Sequence, residues 1–130
     1  MTRFLATARV WRVVLVVLVV LVGLLALVPV PPQAMTTGWD KLNHASAFAA
    51  LALAARLAVP AGARSAWVAA SALLAYGGLI EIAQLFVPGR EGEWADLLGD
   101  AVGVALGTAL ATWVLVRRRR IEPPPGRASP

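Results

Sequence analysis

A chain of 130 residues has room for one domain. Hydrophobic residues make up 59% of it and charged residues 15%, against about 45–50% and about 25% in soluble domains, so a soluble globule with a polar surface is excluded. The net charge of +5 does not point to nucleic acid, because most arginines flank apolar runs, where they orient helices in a bilayer, and the absence of cysteine removes disulfide and thiolate chemistry.

The predicted elements are all helical. Arg3, Arg9 and Arg12 precede an apolar run from Val13 to Val28, and Pro29, Pro31 and Pro32 stop it, since proline lacks an N–H and clashes inside a helix. A first transmembrane helix is expected over about 11–30, close to the roughly 20 residues a span needs, with Trp11 as interfacial anchor. A basic start before an apolar middle also resembles a signal peptide. No clear A-x-A site precedes Met35 and the run exceeds a usual signal core, so the helix is read as retained. After a loop to Trp39, Asp40 is placed to cap a second helix over about 41–59, with Lys41, Asn43 and His44 in its first turn. Arg56, near its end, is expected to snorkel to the interface.

Pro60, Gly62 and Arg64 form the next turn, and a third helix is expected over about 65–87 with Trp67 near its start. Pro88 and Gly89 end it, and Arg90 to Glu93 form a charged loop. A fourth helix over about 94–116 carries small residues at every fourth position, Gly99, Gly103, Gly107 and Ala111, a ridge that lets helix backbones approach closely in lipid. Arg117 to Arg120 are expected to stop the span, anchor the topology and attract anionic lipid. Residues 1–116 are thus read as one transmembrane domain and 117–130 as a basic, Pro-rich, disordered tail. The N-terminal arm, Arg64 and the arginine block fall on one side, and the loops holding Asp40, Lys41, Arg90, Glu91, Glu93 and Asp96 on the other. The positive-inside rule then sets both termini in the cytoplasm. The expected fold is an all-α polytopic membrane bundle of four transmembrane helices.

This topology gathers the unusual polar residues at one outward end. His44 lies about one turn into the second helix, Glu81 about 9 Å from the end of the third at 1.5 Å per residue, and Asp96 and Asp100 in the first two turns of the fourth. Asp40, His44, Phe48 and Leu51 share a helical stripe, as do Glu81, Gly77, Gly78 and Gln84, and as do Asp96, Asp100, Gly103 and Gly107. The acids continue the close-packing ridge, so they should face the bundle interior and find partners there. Each has a plain structural reading: Asp40 and Asp96 as helix caps, Lys41 as an anchor or ion-pair partner, His44 and Gln84 as interhelical hydrogen bonders, Arg90 as a loop charge or the counter-ion of Glu81 or Asp96. Glu81 resists such a reading, because an interior carboxylate needs a partner or a proton. Asp100 lies too far inside to be a cap. Together Asp40, Lys41, His44, Glu81, Gln84, Arg90, Asp96 and Asp100 form the candidate pocket. Tyr76 and the tryptophans are assigned to packing and interface.

Asp40-Lys41-x-x-His44, Glu81-x-x-Gln84, Pro88-Gly89-Arg90 and Asp96-x-x-x-Asp100-x-x-Gly103-x-x-x-Gly107, in that order over about 39–107, resemble the VanZ-like family. Where that family usually has Asn as the second polar residue of its last helix, this chain has Asp100 and so a further charge. The resemblance implies a small multi-pass protein of the bacterial plasma membrane, in a family whose founding member is tied to low-level teicoplanin resistance. Two functions are expected as alternatives. One is an outward pocket that binds or modifies a lipid-linked or cell-wall ligand, for which an amine or sugar suits acids flanked by Arg90. The other is a membrane-embedded hydrolase or transferase with His44 as general base and Glu81 or Asp96 as acid. His44, Glu81, Asp96 and Asp100 could then also hold a divalent metal. Transport is a weaker third, since one charged layer at the end of four helices is little for an alternating-access site unless the chain forms a homo-oligomer. No cofactor and no catalytic residue is assigned from the sequence.

Overall fold

The computed structural model describes residues 2–29, 39–60, 62–90 and 92–121, and among these every regular element is a helix. They are α1 (Thr2–Ala26), α2 (Asp40–Ala58), α3 (Ala63–Gln84) and α4 (Trp94–Ile121). Pro31, Pro32, Glu91 and the tail from residue 122, for which disorder is expected, lie outside the described residues.

Contacts at the helix ends settle the directions. Arg12, midway along α1, donates from Nε to the carbonyl of Ala58 at the end of α2 (3.2 Å), while Val22 and Leu25 near the end of α1 share a cavity with Asp40 and His44 at the start of α2, so α1 and α2 are antiparallel. Gln84, at the end of α3, donates to the carbonyl of Ala26 at the end of α1 (3.1 Å), so α1 and α3 are parallel. α2 and α4 run parallel in constant register. A β-carbon on Gly99 would meet the carbonyl oxygen of Lys41, one on Gly103 that of Ala45, and one on Gly107 that of Ala49. Each step is four residues on both helices, and Ala111 continues the buried line with no exposed surface. The small-residue ridge therefore faces α2 and brings the two backbones into contact, as such ridges do where lipid tails are as apolar as the side chains and close packing takes over from the hydrophobic effect.

α2 lies at the centre, packed against the three other helices. Phe48, Leu51, Ala52 and Ala55 of α2 form the core with Leu73 and Ile80 of α3 and Val104 of α4. Leu15, Leu18, Val19, Val22 and Ala26 of α1 close one side of it, at the three- and four-residue spacing of a single helix face. The outer faces stay apolar and exposed, as at Val13, Val17, Val20 and Leu24 of α1 and Leu98, Val102 and Leu106 of α4. Among the described residues, three segments are long and apolar enough to cross a membrane: Ala8–Ala26, Ala63–Gln84 and Asp96–Arg118. α2 is not among them, because Asp40, Lys41, His44 and Arg56 dilute its 19 residues. Shielded by its neighbours, it has no need of a lipid-facing composition.

Several local expectations are corrected. α1 starts well before residue 11, since nothing between Thr2 and Trp11 breaks a helix, and it ends at Ala26, because Pro29 disfavours helical backbone at the residues before it. α3 ends at Gln84, and Leu85 to Val87 follow as tighter turns, with the Val87 N–H on the carbonyl of Gln84 (3.0 Å). α4 runs through the arginine block to Ile121, because arginine is a good helix former and the bilayer edge need not be a helix end. Asp40 is not a cap: Trp39 holds that position without a side-chain bond, and Asp40 sits in the first turn, where a carboxylate still favours the helix dipole. Arg56 does not snorkel. It is 5% exposed, and its Nη1 donates to Ser65 Oγ (3.0 Å) at the turn into α3.

The α3–α4 turn aims one residue of the site. Gly89 has φ +77°, a left-handed conformation that side chains disfavour. With Pro88 before it and the Arg90 N–H on the carbonyl of Val87 (3.1 Å), the turn has the pattern of type II, with Pro second and Gly third. It carries Arg90 back toward the end of α1.

Candidate functional site

At one end of the bundle the termini of all four helices meet: the ends of α1 and α3 and the starts of α2 and α4. His44, in the second turn of α2, is central. Its Nδ1 lies 2.8 Å from Asp100 Oδ1, and both groups are buried. An ionised carboxylate has no proton to give, so Nδ1 donates and the imidazole's remaining lone pair is on Nε2. Nε2 lies 3.8 Å from Glu81 Oε1, too far for a hydrogen bond. The ring stacks on Phe48 (centroids 6.4 Å apart, planes 5° apart), and Phe48 packs in turn on Tyr76. Phe48 and the Asp100 bond together fix the orientation of the imidazole.

Asp100 fits because α3 has no side chain opposite it. A β-carbon on Gly77 would collide with Asp100 Oδ2 and crowd the Phe48 ring. Gly77 is a site residue that sequence reasoning missed as such. Its signal was its place one turn before Glu81 on the same stripe. Glu81 itself lies in the last turn of α3, about 4.5 Å from the helix end at 1.5 Å per residue, half the expected depth because α3 ends early.

Glu81, Asp96 and Asp100 are 2%, 1% and 0% exposed. Both Glu81 oxygens, Asp96 Oδ1 and Asp100 Oδ2 have no hydrogen-bond partner among the described residues. Lys41 approaches this layer from the surface. Its Nζ binds Glu93 Oε2 at 2.9 Å and stands 3.6 Å from Asp96 Oδ1. The hydrogen bond and charge of Lys41 hold the Glu93 carboxyl below its ordinary range. Glu93 is the second contributor that the sequence did not single out. Asp96 lies in the first turn of α4 with its N–H on the carbonyl of Glu93 (2.8 Å), one turn inside the cap position expected of it.

Arg90 is neither a free loop charge nor a counter-ion of Glu81 or Asp96. Its Nε donates to the carbonyl of Val28 (3.1 Å) and its Nη2 to that of Leu25 (3.2 Å). With Gln84 on Ala26, two side chains satisfy carbonyls that the end of α1 leaves open. Arg90 and Gln84 therefore fasten α1 to the site.

A cavity of about 110 Å³ opens between α1, α2 and α3 beside this layer. Asp40, Asn43, His44, Gln84 and Arg90 form its polar part, and Val22, Leu25, Ala47, Phe48 and Ile80 its apolar part. The expected pocket residues thus divide into two groups. Asp40, His44, Gln84 and Arg90 line the cavity, whereas Lys41, Glu81, Asp96 and Asp100 stand outside its wall, and His44 joins the groups. One combination has the makings of a cation site: Asp40, His44 and Asp96 each bring one ligand atom to within 4.8 Å of the others.

An all-helical bundle with three spans of membrane length and an interior polar layer at one end defines a multi-pass membrane protein. The family model for VanZ/LLP1 matches residues 13–116, four-fifths of the chain and nearly all of the bundle, and the chain belongs to that family. No curated protein and no solved structure matches it.

Proposed function

We propose that the protein is a bacterial plasma-membrane protein whose polar end, facing outward, binds the headgroup of a lipid-linked or cell-wall ligand. The cavity's composition carries this reading: a polar rim beside an apolar wall in one opening suits an amphiphile. Since Arg90 and Gln84 are occupied by the carbonyls of α1, the rim offers carboxylate and imidazole groups more than a free cation. That favours an amine or a sugar over a phosphate. α2 runs antiparallel beside the Arg12–Ala26 part of α1, which supports reading it as a fourth crossing. Four crossings place both termini on one side, and the arginines at that end make it cytoplasmic. Some protection against a glycopeptide such as teicoplanin is a corollary, through the ligand that the pocket sequesters or presents.

Native mass spectrometry of the protein purified with its lipids tests this. An amine- or sugar-bearing lipid retained by the wild type and lost from Asp40→Ala and His44→Ala is the expected result. Identical lipid profiles in all three sink the reading. A second reading rests on the Asp100–His44 pair, in which a carboxylate orients an imidazole as in a general base. It predicts turnover of that lipid in reconstituted vesicles, abolished by His44→Ala.

A further inference from the structure

The buried polar layer poses a charge problem that its own side chains leave unsolved. Removing an ion from water costs several kcal/mol even after relaxation, so buried charges need opposite charges or strong hydrogen bonds. Asp40, Glu81, Asp96 and Asp100 bring four carboxyl groups to one helix-end layer. The cations nearby are engaged elsewhere: Arg90 with the carbonyls of α1, and Lys41 closest to Glu93. His44 gives Nδ1 to Asp100. What remains is an imidazole nitrogen and buried carboxylate oxygens that accept no hydrogen bond among the described residues.

We propose that Asp40, His44 and Asp96 bind a divalent cation, with Asp100 as the residue that positions His44. Three observations converge on it. The ligand atoms of these three residues lie within 4.8 Å of one another, a spread that one ion with bonds of about 2.0–2.2 Å can bridge with small adjustments. Asp96 is 1% exposed and its Oδ1 has no hydrogen bond, with only the Lys41 ammonium nearby at 3.6 Å, so this buried oxygen has coordination to spare. The Asp100–His44 bond is the arrangement in which a metal-ligating histidine gives its second ring nitrogen to a carboxylate, fixing ring orientation and raising basicity. Glu81, 3.8 Å from His44 Nε2 and unpartnered at both oxygens, is the next carboxylate in line to neutralise or complete the site.

The donor set selects the kind of ion. Two or three carboxylate oxygens and one imidazole, with no sulfur in reach, suit Mn²⁺, Fe²⁺ or Zn²⁺. An all-oxygen preference such as that of Ca²⁺ leaves the imidazole unexplained. Asp40 is exposed while His44 and Asp96 are buried, so the ion enters from the aqueous side past Asp40, and the cavity lies on the same two residues, Asp40 and His44. A ligand in the cavity therefore sits beside the ion.

Metal binding needs no lipid, so it stands or falls separately from the ligand reading. The full chain, purified in nanodiscs and stripped with chelator, is titrated with Mn²⁺ and with Zn²⁺. Expected is one site per chain, with affinity lowered at least tenfold by His44→Ala and by Asp96→Asn. Asp40→Asn, at an exposed position, lowers it as well and keeps the test open if the buried variants misfold. Asp100→Asn keeps the stoichiometry and weakens binding by about 10–100-fold, as loss of an outer carboxylate does. Pulsed electron paramagnetic resonance of bound Mn²⁺ reads the histidine directly: nitrogen coupling is present in wild type and absent from a folded His44→Gln. Wild-type protein that is folded and binds neither ion overturns the proposal, and means that protons neutralise the layer. Binding of equal strength in wild type and Asp40→Asn, or bound Mn²⁺ without nitrogen coupling, overturns it too.

Discussion

At His44 the chain solves one hydrogen-bonding problem and leaves another open. Asp100 accepts the hydrogen bond from Nδ1, Phe48 stacks on the ring, and Gly77 vacates the space that the carboxylate needs. Replacing Asp100 by Leu leaves a buried donor unpaired, a loss of about 1–3 kcal/mol, whereas Asn keeps an acceptor for it. Thermal unfolding in detergent should therefore show a clear drop for Asp100→Leu and a much smaller one for Asp100→Asn; equal drops refute the hydrogen bond as the reason. Glu93 allows a pH experiment at the surface. Its folded-state pKa is lowered by Lys41, so the pair contributes fully above the ordinary glutamate range near about 4.3 and is lost as pH falls through the lowered value. The midpoint gap between wild type and Glu93→Gln is expected to be present at neutral pH and to close in acid. A gap that persists unchanged to pH 3 contradicts the pairing. Arg90 and Gln84 show a different use of polar side chains, as clamps on the end of α1.

Among the elements, α2 and α4 form the pair on which the rest is assembled. Their parallel register depends on glycine at steps of four, because the oxygens of Lys41, Ala45 and Ala49 lie where β-carbons would be. Gly78 of α3 has open space instead. The two positions make a controlled comparison. Gly103→Ala forces the helices apart and is expected to lower stability by about 1–3 kcal/mol, as overpacking does. Gly78→Ala meets nothing and gains helix propensity, up to about 1 kcal/mol. Unfolding midpoints that move the same way for both would show that the close approach is not what holds the pair. Separating α2 from α4 also moves His44 from Asp100, so Gly103→Ala is expected to weaken metal binding in the assay above.

For the molecule as a whole, the charge pattern is the organising fact. Among the described residues, Arg9, Arg12, Arg56, Arg64, Arg117, Arg118 and Arg120 gather at one end, and Asp40, Glu81, Glu93, Asp96 and Asp100 at the other. Because the chain contains no cysteine, single cysteines report topology without background. Cysteine at Ala95, an exposed position at the start of α4, is expected to react with a membrane-impermeant maleimide on intact cells, and cysteine at Arg120 only after lysis. Labelling of both, or of Arg120 alone, on intact cells rejects the proposed orientation. At this scale α2 also explains how a helix rich in polar residues fits a membrane bundle. Its neighbours face the lipid, and it faces them.

Composition and breakers were enough to read four helices and their order, since long apolar runs between Pro- and Gly-bearing turns admit little else. They also marked Glu81, Asp96 and Asp100 as interior acids, and the fold buries all three, because acids beside a close-packing ridge must face inward. The sequence by itself determined less about helix ends. Arginines that mark a bilayer edge are also helix formers, and a span and a helix need not stop together. Partners were decided only by tertiary structure. Arg90 has the charge to meet Glu81, yet the turn at Gly89 sends it to the carbonyls of α1. Glu93 looked like one loop charge among several, yet it takes the nearest contact of Lys41. Asp40 stands where a cap would, yet the helix begins one residue earlier. Each outcome depends on where a neighbouring helix ends to within a residue, and register across helices is set by packing, which periodicity along one chain does not encode. The parallel contact of α2 and α4 is the clearest case: spacing showed that α4 has a face for close approach, and only the fold showed that α2 fills it and so carries His44 to Asp100.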